Sequence, residues 1–281
     1  MAVTPPRGEA IHAATIEVAG LETCVWVLPA TGPARELPIV LLHGMADDGR
    51  CQAALAVSLS SAGFDVFMPD APGHGHSALG NSFTPSDRAE SLIGVLKHFC
   101  RERALLIGHS MGGETAIDVA AMRPDLVRGV IAEEPVLDIG APNDAWAGDS
   151  SSVRDWIVGL QQGTHADRMA WVRKDGPSWR EAEYEPWAES KSLTNIEIFG
   201  PGSSWLTTEW SDVARRLSVP TIIVRGTTRD RAQYQEQVDA FMRLVPHAIE
   251  LAIEPAGHCV RRDQPERFAA ATLAFAARLS V

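Results

Sequence analysis

Cysteine is scarce and scattered in this sequence. The four cysteines, Cys24, Cys51, Cys100 and Cys259, lie far apart, and no two of them form a C-x-x-C pair. Structural zinc sites and small disulfide-stapled domains need cysteines at characteristic short spacings, so the sequence favours neither. Internal repeats and low-complexity tracts are also absent. What is left is an ordinary globular composition, with 45% hydrophobic and 22% charged residues, in a chain of 281 residues.

Long apolar runs and basic clusters are missing too. No segment approaches the roughly 18 consecutive apolar residues of a membrane-spanning helix, and the first residues lack the charged and apolar regions of a signal peptide. Lys and Arg number 25 against 36 Asp and Glu, which gives a net charge of −11. Such a chain is repelled by nucleic acid phosphates and by anionic membranes. We therefore expect a cytoplasmic protein with no nucleic acid or membrane partner.

What the sequence does contain is an alternation of short apolar runs with helical patterns. The runs that predict strands are 11–18, 23–28, 38–43, 64–68, 104–108, 127–132, 219–225 and 247–253. The patterns that predict helices are 51–62, 86–103, 111–123, 231–244 and 264–279. Repeated strand–helix–strand units predict an α/β fold whose mostly parallel central sheet is flanked by helices on both faces.

One long segment interrupts this alternation. Residues 138–212 show no strand–helix rhythm, yet they hold seven of the eight tryptophans. A segment of that length is too long for a simple loop. We therefore expect a core domain made of residues 1–137 and 213–281, with a Trp-rich helical cap or lid, residues 138–212, inserted after the sixth strand.

The strongest chemical signal is the run GHSMGG at residues 108–113. It follows a predicted strand and opens a predicted helix, which is the setting of a G-x-S-x-G nucleophile elbow. Flanking glycines allow a sharp turn, so that the hydroxyl of Ser110 projects from the top of the sheet. The helix that begins just after Ser110 adds positive partial charge where an oxyanion would form.

Four motifs in a fixed order give the chain a family resemblance. They are His43-Gly44 after a buried strand, GHGHS at 73–77 after another strand, the Ser110 elbow, and Gly257-His258 near the end. In this order the chain resembles the α/β-hydrolase superfamily over nearly its whole length. The resemblance implies a hydrolase with a Ser-His-acid triad, an oxyanion hole and no cofactor.

The resemblance assigns the remaining catalytic roles. His258 is expected as the base, because the family order of serine, acid and histidine puts the base in this late loop. Asp230 is expected as the acid, because most members carry it directly after the preceding strand. Glu134 is the alternative, since some subfamilies place the acid after the sixth strand. The backbone N–H groups of Met45 and Met111 are expected to form the oxyanion hole.

The other histidines are less informative. His74 and His76 suggest a metal site, but no third ligand stands at a recognisable spacing, so we expect no metal. His43 and His74 are expected to shape the site rather than to transfer protons.

The substrate is predicted only as a class. Taken together, the tryptophans of the cap favour a small aromatic or bulky apolar molecule, although for any single one of them the favoured role is to pin the cap to the core. The leading hypothesis is a serine hydrolase of the carboxylesterase, lactonase or amidase type, acting on an ester, lactone, amide or thioester bond. The alternatives are a C–C bond hydrolase, a cofactor-free oxygenase or perhydrolase, and a small-molecule receptor with slow turnover. Assembly into a homo-oligomer stays open.

Overall fold

A computed structural model gives the architecture of most of the chain. It describes residues 11–137, 150–201, 203–204, 210–228 and 232–279. The expected acid Asp230 and two cap tryptophans, Trp146 and Trp205, therefore lie outside the described residues.

Eight described strands form one sheet. They are β1 (His12–Val18), β2 (Leu21–Leu28), β3 (Ile39–Leu42), β4 (Val66–Pro69), β5 (Ala104–His109), β6 (Val127–Glu133), β7 (Thr221–Gly226) and β8 (Ile249–Ile253). Their spatial order is β1-β2-β4-β3-β5-β6-β7-β8. The first two strands pair antiparallel, β2 pairs antiparallel with β4, and the remaining pairs are parallel. This is the α/β-hydrolase fold that the sequence predicts, with strand bounds within a few residues of the expected ones.

Helices cover both faces of this sheet. In the sheet domain the helices are α1 (Ala53–Ser61), α2 (Pro85–Phe99) and α3 (Met111–Met122), followed later by α8 (Ala232–Leu244), α9 (Val260–Asp263) and α10 (Pro265–Leu279). Alternate residues of a strand point to opposite faces. Leu106 of β5 accordingly packs in one core cluster, whereas Leu105 and Ile107 pack in another. The first cluster includes side chains of α2, α3 and α8, and the second includes side chains of α1 and α10.

The described elements between β6 and β7 are all helical. They are α4 (Ser150–Gln162), α5 (His165–Asp175), α6 (Glu181–Leu193), a short 3₁₀ helix (Ile196–Phe199) and α7 (Trp210–Arg216). We call residues 150–201 the cap. The helix α7 crosses the expected boundary at residue 212, and its Trp210 and Val213 pack in the same core cluster as Val119 of α3.

The described tryptophans of the cap mainly hold the cap together. Trp171 and Trp187 stack with ring centroids 4.9 Å apart, and Trp156 lies 5.6 Å from Trp171. With Trp179 they surround the buried Val172 and form the cap's own small core. For the first three of these residues, packing within the cap is the role that the contacts show. Trp179 also donates from Nε1 to Asp263 Oδ1 at 3.0 Å, which ties the cap to the sheet domain.

The cap is anchored over the carboxyl ends of the strands. The N–H of Asn195 donates to the carbonyl of Gly73, in the loop after β4, at 2.9 Å. Lys191 of α6 reaches into the loop after β3, where it meets Ala46 and Asp47. Loops that follow parallel strands lie at one edge of the sheet, so these contacts set the cap above the edge that carries Ser110.

Candidate active site

Ser110 lies at the sharp turn between β5 and α3. Its backbone has φ 51° and ψ −117°, a strained conformation for a residue with a side chain. Two close approaches make the flanking glycines necessary. A Cβ atom on Gly108 would lie 2.1 Å from the carbonyl oxygen of Gly112, and one on Gly112 would lie 2.5 Å from that of Leu42. The sequence GHSMGG therefore folds into the expected elbow for steric reasons.

Hydrogen bonds fix the elbow to the neighbouring strand. The N–H of Ser110 donates to the carbonyl of Glu133 at 2.8 Å, and His109 pairs with Glu133 in the parallel β5–β6 register. Met111 is the first residue of α3, so its N–H has no acceptor within the helix and is available to an oxyanion.

His258 lies in the loop between β8 and α9. Its side chain is 29% exposed, so a substrate above the sheet can reach the imidazole. His109, the residue before Ser110 in the elbow, contacts His258 directly. The centroids of the two rings are 4.7 Å apart. His109 Nε2 also lies 3.0 Å from the carbonyl oxygen of His258. This pairing ties the loop of His258 to the strand that carries Ser110.

The imidazole of His109 differs from that of His258 in its surroundings. Burial, with Arg261 next in importance, lowers the pKa of His109 well below its usual value. A neutral His109 donates its Nε2–H to the carbonyl of His258, and this bond fixes its tautomer. We therefore assign His109 a supporting role beside the more exposed His258.

Glu134 is the carboxylate that the described residues place next to His258. Its Oε2 lies 3.4 Å from His258 Nδ1, which is a long hydrogen bond. Its other oxygen, Oε1, accepts the N–H of Gly226 at 2.8 Å. The residue is 1% exposed and has φ 48°. A buried carboxylate in a strained backbone at the end of a strand is typical of a functional position.

The two methionines expected at the oxyanion hole lie in one apolar cluster. Met111 packs with the buried Phe83 and with Ile198 of the cap, and Met45 packs against the same cluster. Phe199 of the cap is the other aromatic residue there. The backbone positions expected to bind the oxyanion thus adjoin an apolar region that the cap completes.

His43 holds the loops around this region. Its Nε2 accepts the N–H of Ala71 at 2.9 Å, so the proton is on Nδ1, which lies 2.8 Å from the carbonyl oxygen of Gly44. It shapes the loop that carries Met45, as the sequence predicts. Among the described residues, no group of three or more His, Cys, Asp or Glu side chains is arranged to hold a metal ion.

Comparison with known proteins decides the family. A model described as "Alpha/beta hydrolase family" matches residues 39–271. The chain belongs to the alpha/beta hydrolase family. It is 25% identical over 254 residues to Lipase LipV of Mycobacterium tuberculosis, covering 85% of this chain and 92% of that protein. It is also 25% identical to 2-(acetamidomethylene)succinate hydrolase of Mesorhizobium japonicum, covering 82% of this chain and 84% of that protein.

Solved structures agree on the fold of this alpha/beta hydrolase. The crystal structure of E-2-(acetamidomethylene)succinate hydrolase matches with a TM-score of 0.74 and 21% identity, covering 95% of this chain and all of the other. Relatives named as a lipase and as a hydrolase make the chain an α/β-hydrolase-type hydrolase. In the part of this hydrolase that the structure describes, no helix is both long enough and apolar enough to cross a membrane.

Several charged residues of this hydrolase's site escape the sequence analysis. Asp47 follows His43 by four residues, and Arg262 follows His258 by four. Their side chains meet, with Arg262 Nη2 3.0 Å from Asp47 Oδ2. An acidic and a basic residue, each four positions after a histidine of a site motif, are the sequence signal that could have suggested this pair.

Proposed function

We propose that this alpha/beta hydrolase is a serine hydrolase in which Ser110, His258 and Glu134 form the triad. The observation that carries the proposal is the contact of the buried Glu134 with His258 Nδ1, at 3.4 Å, beside a serine in a strained elbow. An acid that binds Nδ1–H leaves Nε2 free of its proton and able to act as a base. We therefore prefer Glu134 to Asp230 as the acid.

The mechanism follows from these positions. Ser110 Oγ attacks the acyl carbon while His258 Nε2 takes the hydroxyl proton, and Glu134 stabilises the imidazolium that forms. The N–H groups of Met45 and Met111 bind the oxyanion. Collapse of the tetrahedral intermediate breaks the bond to the leaving group, which receives the proton from His258.

The resulting acyl-enzyme is then hydrolysed. His258 removes a proton from a water molecule, whose oxygen attacks the acyl carbon, and the second tetrahedral intermediate releases a carboxylic acid. Ser110 recovers its proton from His258. The chain's own residues and one water molecule per turnover account for every bond and proton.

The substrate that we propose is a small ester, lactone, amide or thioester with an apolar acyl group. Support comes from the apolar cluster of Phe83, Met111 and Ile198, against which Met45 packs. The relatives named as a lipase and as a hydrolase of a succinate derivative support a small-molecule substrate. The support for an aromatic acyl group comes from Phe83 and Phe199 of this cluster. It does not come from the four tryptophans, which pack in the core of the cap.

The test is labelling with a fluorophosphonate, followed by intact-mass measurement. We expect one adduct on the wild type and none on S110A, with H258A labelled far more slowly. Ser192→Ala is the matched control, because Ser192 lies exposed on the cap helix α6 and its hydroxyl donates to the carbonyl of Glu189. Labelling of S110A, or a folded wild type that takes up no label, would contradict the proposal. Hydrolysis of p-nitrophenyl butyrate by the same proteins then measures turnover.

A further inference from the structure

Six buried charged side chains connect the candidate site to the cap. Asp47 lies at their centre: Lys191 Nζ is 2.5 Å from its Oδ1, and Arg262 Nη2 is 3.0 Å from its Oδ2. We call these six residues the Asp47 network, and they are Asp47, Glu133, Glu183, Lys191, Arg261 and Arg262. With three acids and three bases, the network is balanced in charge. Burial alone would raise the pKa of Asp47, but its three cations hold it well below the usual range.

The Asp47 network contacts the loop after β3 at a strained turn. We call this loop, residues 43–47, the oxyanion loop, because it carries Met45. The N–H of Asp47 donates to the carbonyl of Gly44 at 3.1 Å, which closes a four-residue turn around Met45 and Ala46. Ala46 stands at the third position with φ 61°, the positive value that a type II turn requires and that normally calls for glycine. An alanine in this conformation persists only where its surroundings hold it there.

Two cap residues hold the carbonyl of Ala46. Lys191 Nζ donates to it at 2.9 Å. Thr194 Oγ1 lies 3.3 Å from it and 3.1 Å from the carbonyl oxygen of Ser190, so its single hydrogen is shared between the two carbonyls. The carbonyl of Ala46 belongs to the last peptide of this turn and the N–H of Met45 to its first. Holding the carbonyl therefore fixes one side of a turn of only four residues, and this limits how far the N–H of Met45 can move. The lysine side chain is 1% exposed and lies over the ring of Trp187 at 4.5 Å, so its position is fixed by the core of the cap.

The same network reaches the other catalytic segments. Arg261 Nη1 lies 3.1 Å from Glu133 Oε2, next to the proposed acid Glu134. Arg262, four residues after His258, binds both Asp47 and Glu183 of the cap helix α6. The cap, the loop that carries Met45 and the loop that carries His258 are therefore joined through buried ion pairs.

We propose that Lys191 is a positioning residue for the oxyanion hole, so that the hole is organised only while the cap is seated. The inference rests on the proposed function, because it presumes that the N–H of Met45 stabilises an oxyanion. The cap would then do more than cover the substrate: through Lys191 and Thr194 it sets the geometry of a donor on the sheet domain.

The first test replaces Lys191 by methionine, an unbranched side chain one atom shorter, which removes the charge and the donors. With p-nitrophenyl butyrate we expect kcat to fall about 10- to 100-fold, because a misplaced oxyanion donor loses part of the effect of a complete one, while KM changes less than threefold. The rate of fluorophosphonate labelling should fall in parallel. The control is Lys174→Met, an exposed lysine of the cap helix α5, which should match the wild type. Circular dichroism and the melting temperature establish that each variant folds.

Two further variants separate positioning from general destabilisation. T194V removes the hydroxyl that Ala46 shares with the carbonyl of Ser190, without changing any charge, and we expect kcat to fall by roughly 3-fold. In the K191M background, Ala46→Gly should recover part of the lost kcat, since glycine adopts positive φ without a steric cost. Recovery is not expected if Lys191 matters only for stability.

The failure of this inference differs from the failure of the proposed function. If the wild type is neither labelled nor active on the ester, the proposed function is wrong. If the wild type is labelled and active, and folded K191M has the same kcat and labelling rate, the positioning role is wrong. A K191M that loses activity only through a higher KM also contradicts it, because the substrate pocket and not the oxyanion hole would then be affected.

Discussion

Two neighbouring glutamates at the end of β6 contact basic side chains of different kinds. Both are about 1% exposed. Glu133 binds Arg261 through the backbone N–H at 2.7 Å and through Nη1 at 3.1 Å. Glu134 binds the N–H of Gly226 at 2.8 Å and faces His258 Nδ1 at 3.4 Å. A guanidinium keeps its charge at every physiological pH, whereas an imidazole gains and loses a proton. The first pair can only hold segments together, but the second can take part in proton transfer.

Glu134→Gln should have the largest effect on activity, because it tests whether Glu134 supports His258 as the base. The amide oxygen of the glutamine would take the place of Oε1, which accepts from Gly226, and the amide N–H would then face His258 Nδ1. That arrangement favours the tautomer in which Nε2 carries the proton and cannot act as a base. We expect kcat on p-nitrophenyl butyrate to fall about 10³- to 10⁴-fold, as for the equivalent change in other triads.

Asp230→Asn is the matched test of the alternative acid. We expect it to cost far less activity than E134Q, provided that both variants melt near the wild-type temperature. A greater loss in D230N than in E134Q would move the acid to Asp230 and leave Glu134 as a structural carboxylate.

Glu133→Gln should affect stability more than catalysis. Its amide would present a donor to one of the two donors of Arg261 and would leave that buried arginine with Asp47, 3.6 Å away, as its remaining counter-charge. Breaking a buried ion pair in this way costs about 3 kcal/mol in the free energy of unfolding, which urea denaturation would measure. The kcat of the folded fraction should fall much less than in E134Q. If it fell as much, the distinction between the two glutamates would be lost.

The sequence predicts the sheet and the sharp turn at Ser110 well, for a physical reason. The buried strands read as apolar runs, and the elbow of Ser110 depends on local steric constraints that glycines at fixed positions reveal. Contacts between distant segments are harder to predict. Nothing in the residues around Lys191 shows that this lysine reaches the carbonyl of Ala46, because the contact depends on how the cap sits over the sheet.

The acid illustrates the same limit. Chain order favours the loop after β7, where Asp230 stands in the sequence, but β6 and β7 are adjacent parallel strands and end at the same edge of the sheet. Order along the chain does not decide which of two adjacent strands is followed by the acid. The tryptophans show a related ambiguity. Composition suggests a substrate cavity, whereas the four within residues 150–201 pack in the core of the cap and Trp210 packs in the core of the sheet domain.

The smallest effect is expected at His74, another imidazole whose surroundings differ from those of His258. Unlike His258, its ring is completely enclosed, between His43 and Phe83. Nδ1 lies 3.0 Å from the carbonyl oxygen of Pro72, and no hydrogen-bond partner for Nε2 is found among the described residues. Burial, reinforced by His43, lowers the pKa of His74 to about 3. In the unfolded chain a histidine has a pKa near 6.5. At mildly acidic pH the imidazole of His74 is therefore protonated in the unfolded state and neutral in the folded state.

This difference fixes the sign of a pH effect. Stability contributed by a neutral His74 is present above about pH 6.5 and is lost as the pH falls from there toward 3. Between pH 7 and pH 5 the loss amounts to roughly 2 kcal/mol in the free energy of unfolding. His74→Phe keeps a ring in the same place and removes the titrating group, so its free energy of unfolding should decline less over this interval by that amount. Urea denaturation of both proteins at the two pH values measures the difference, and parallel declines would mean that His74 becomes protonated within the folded protein.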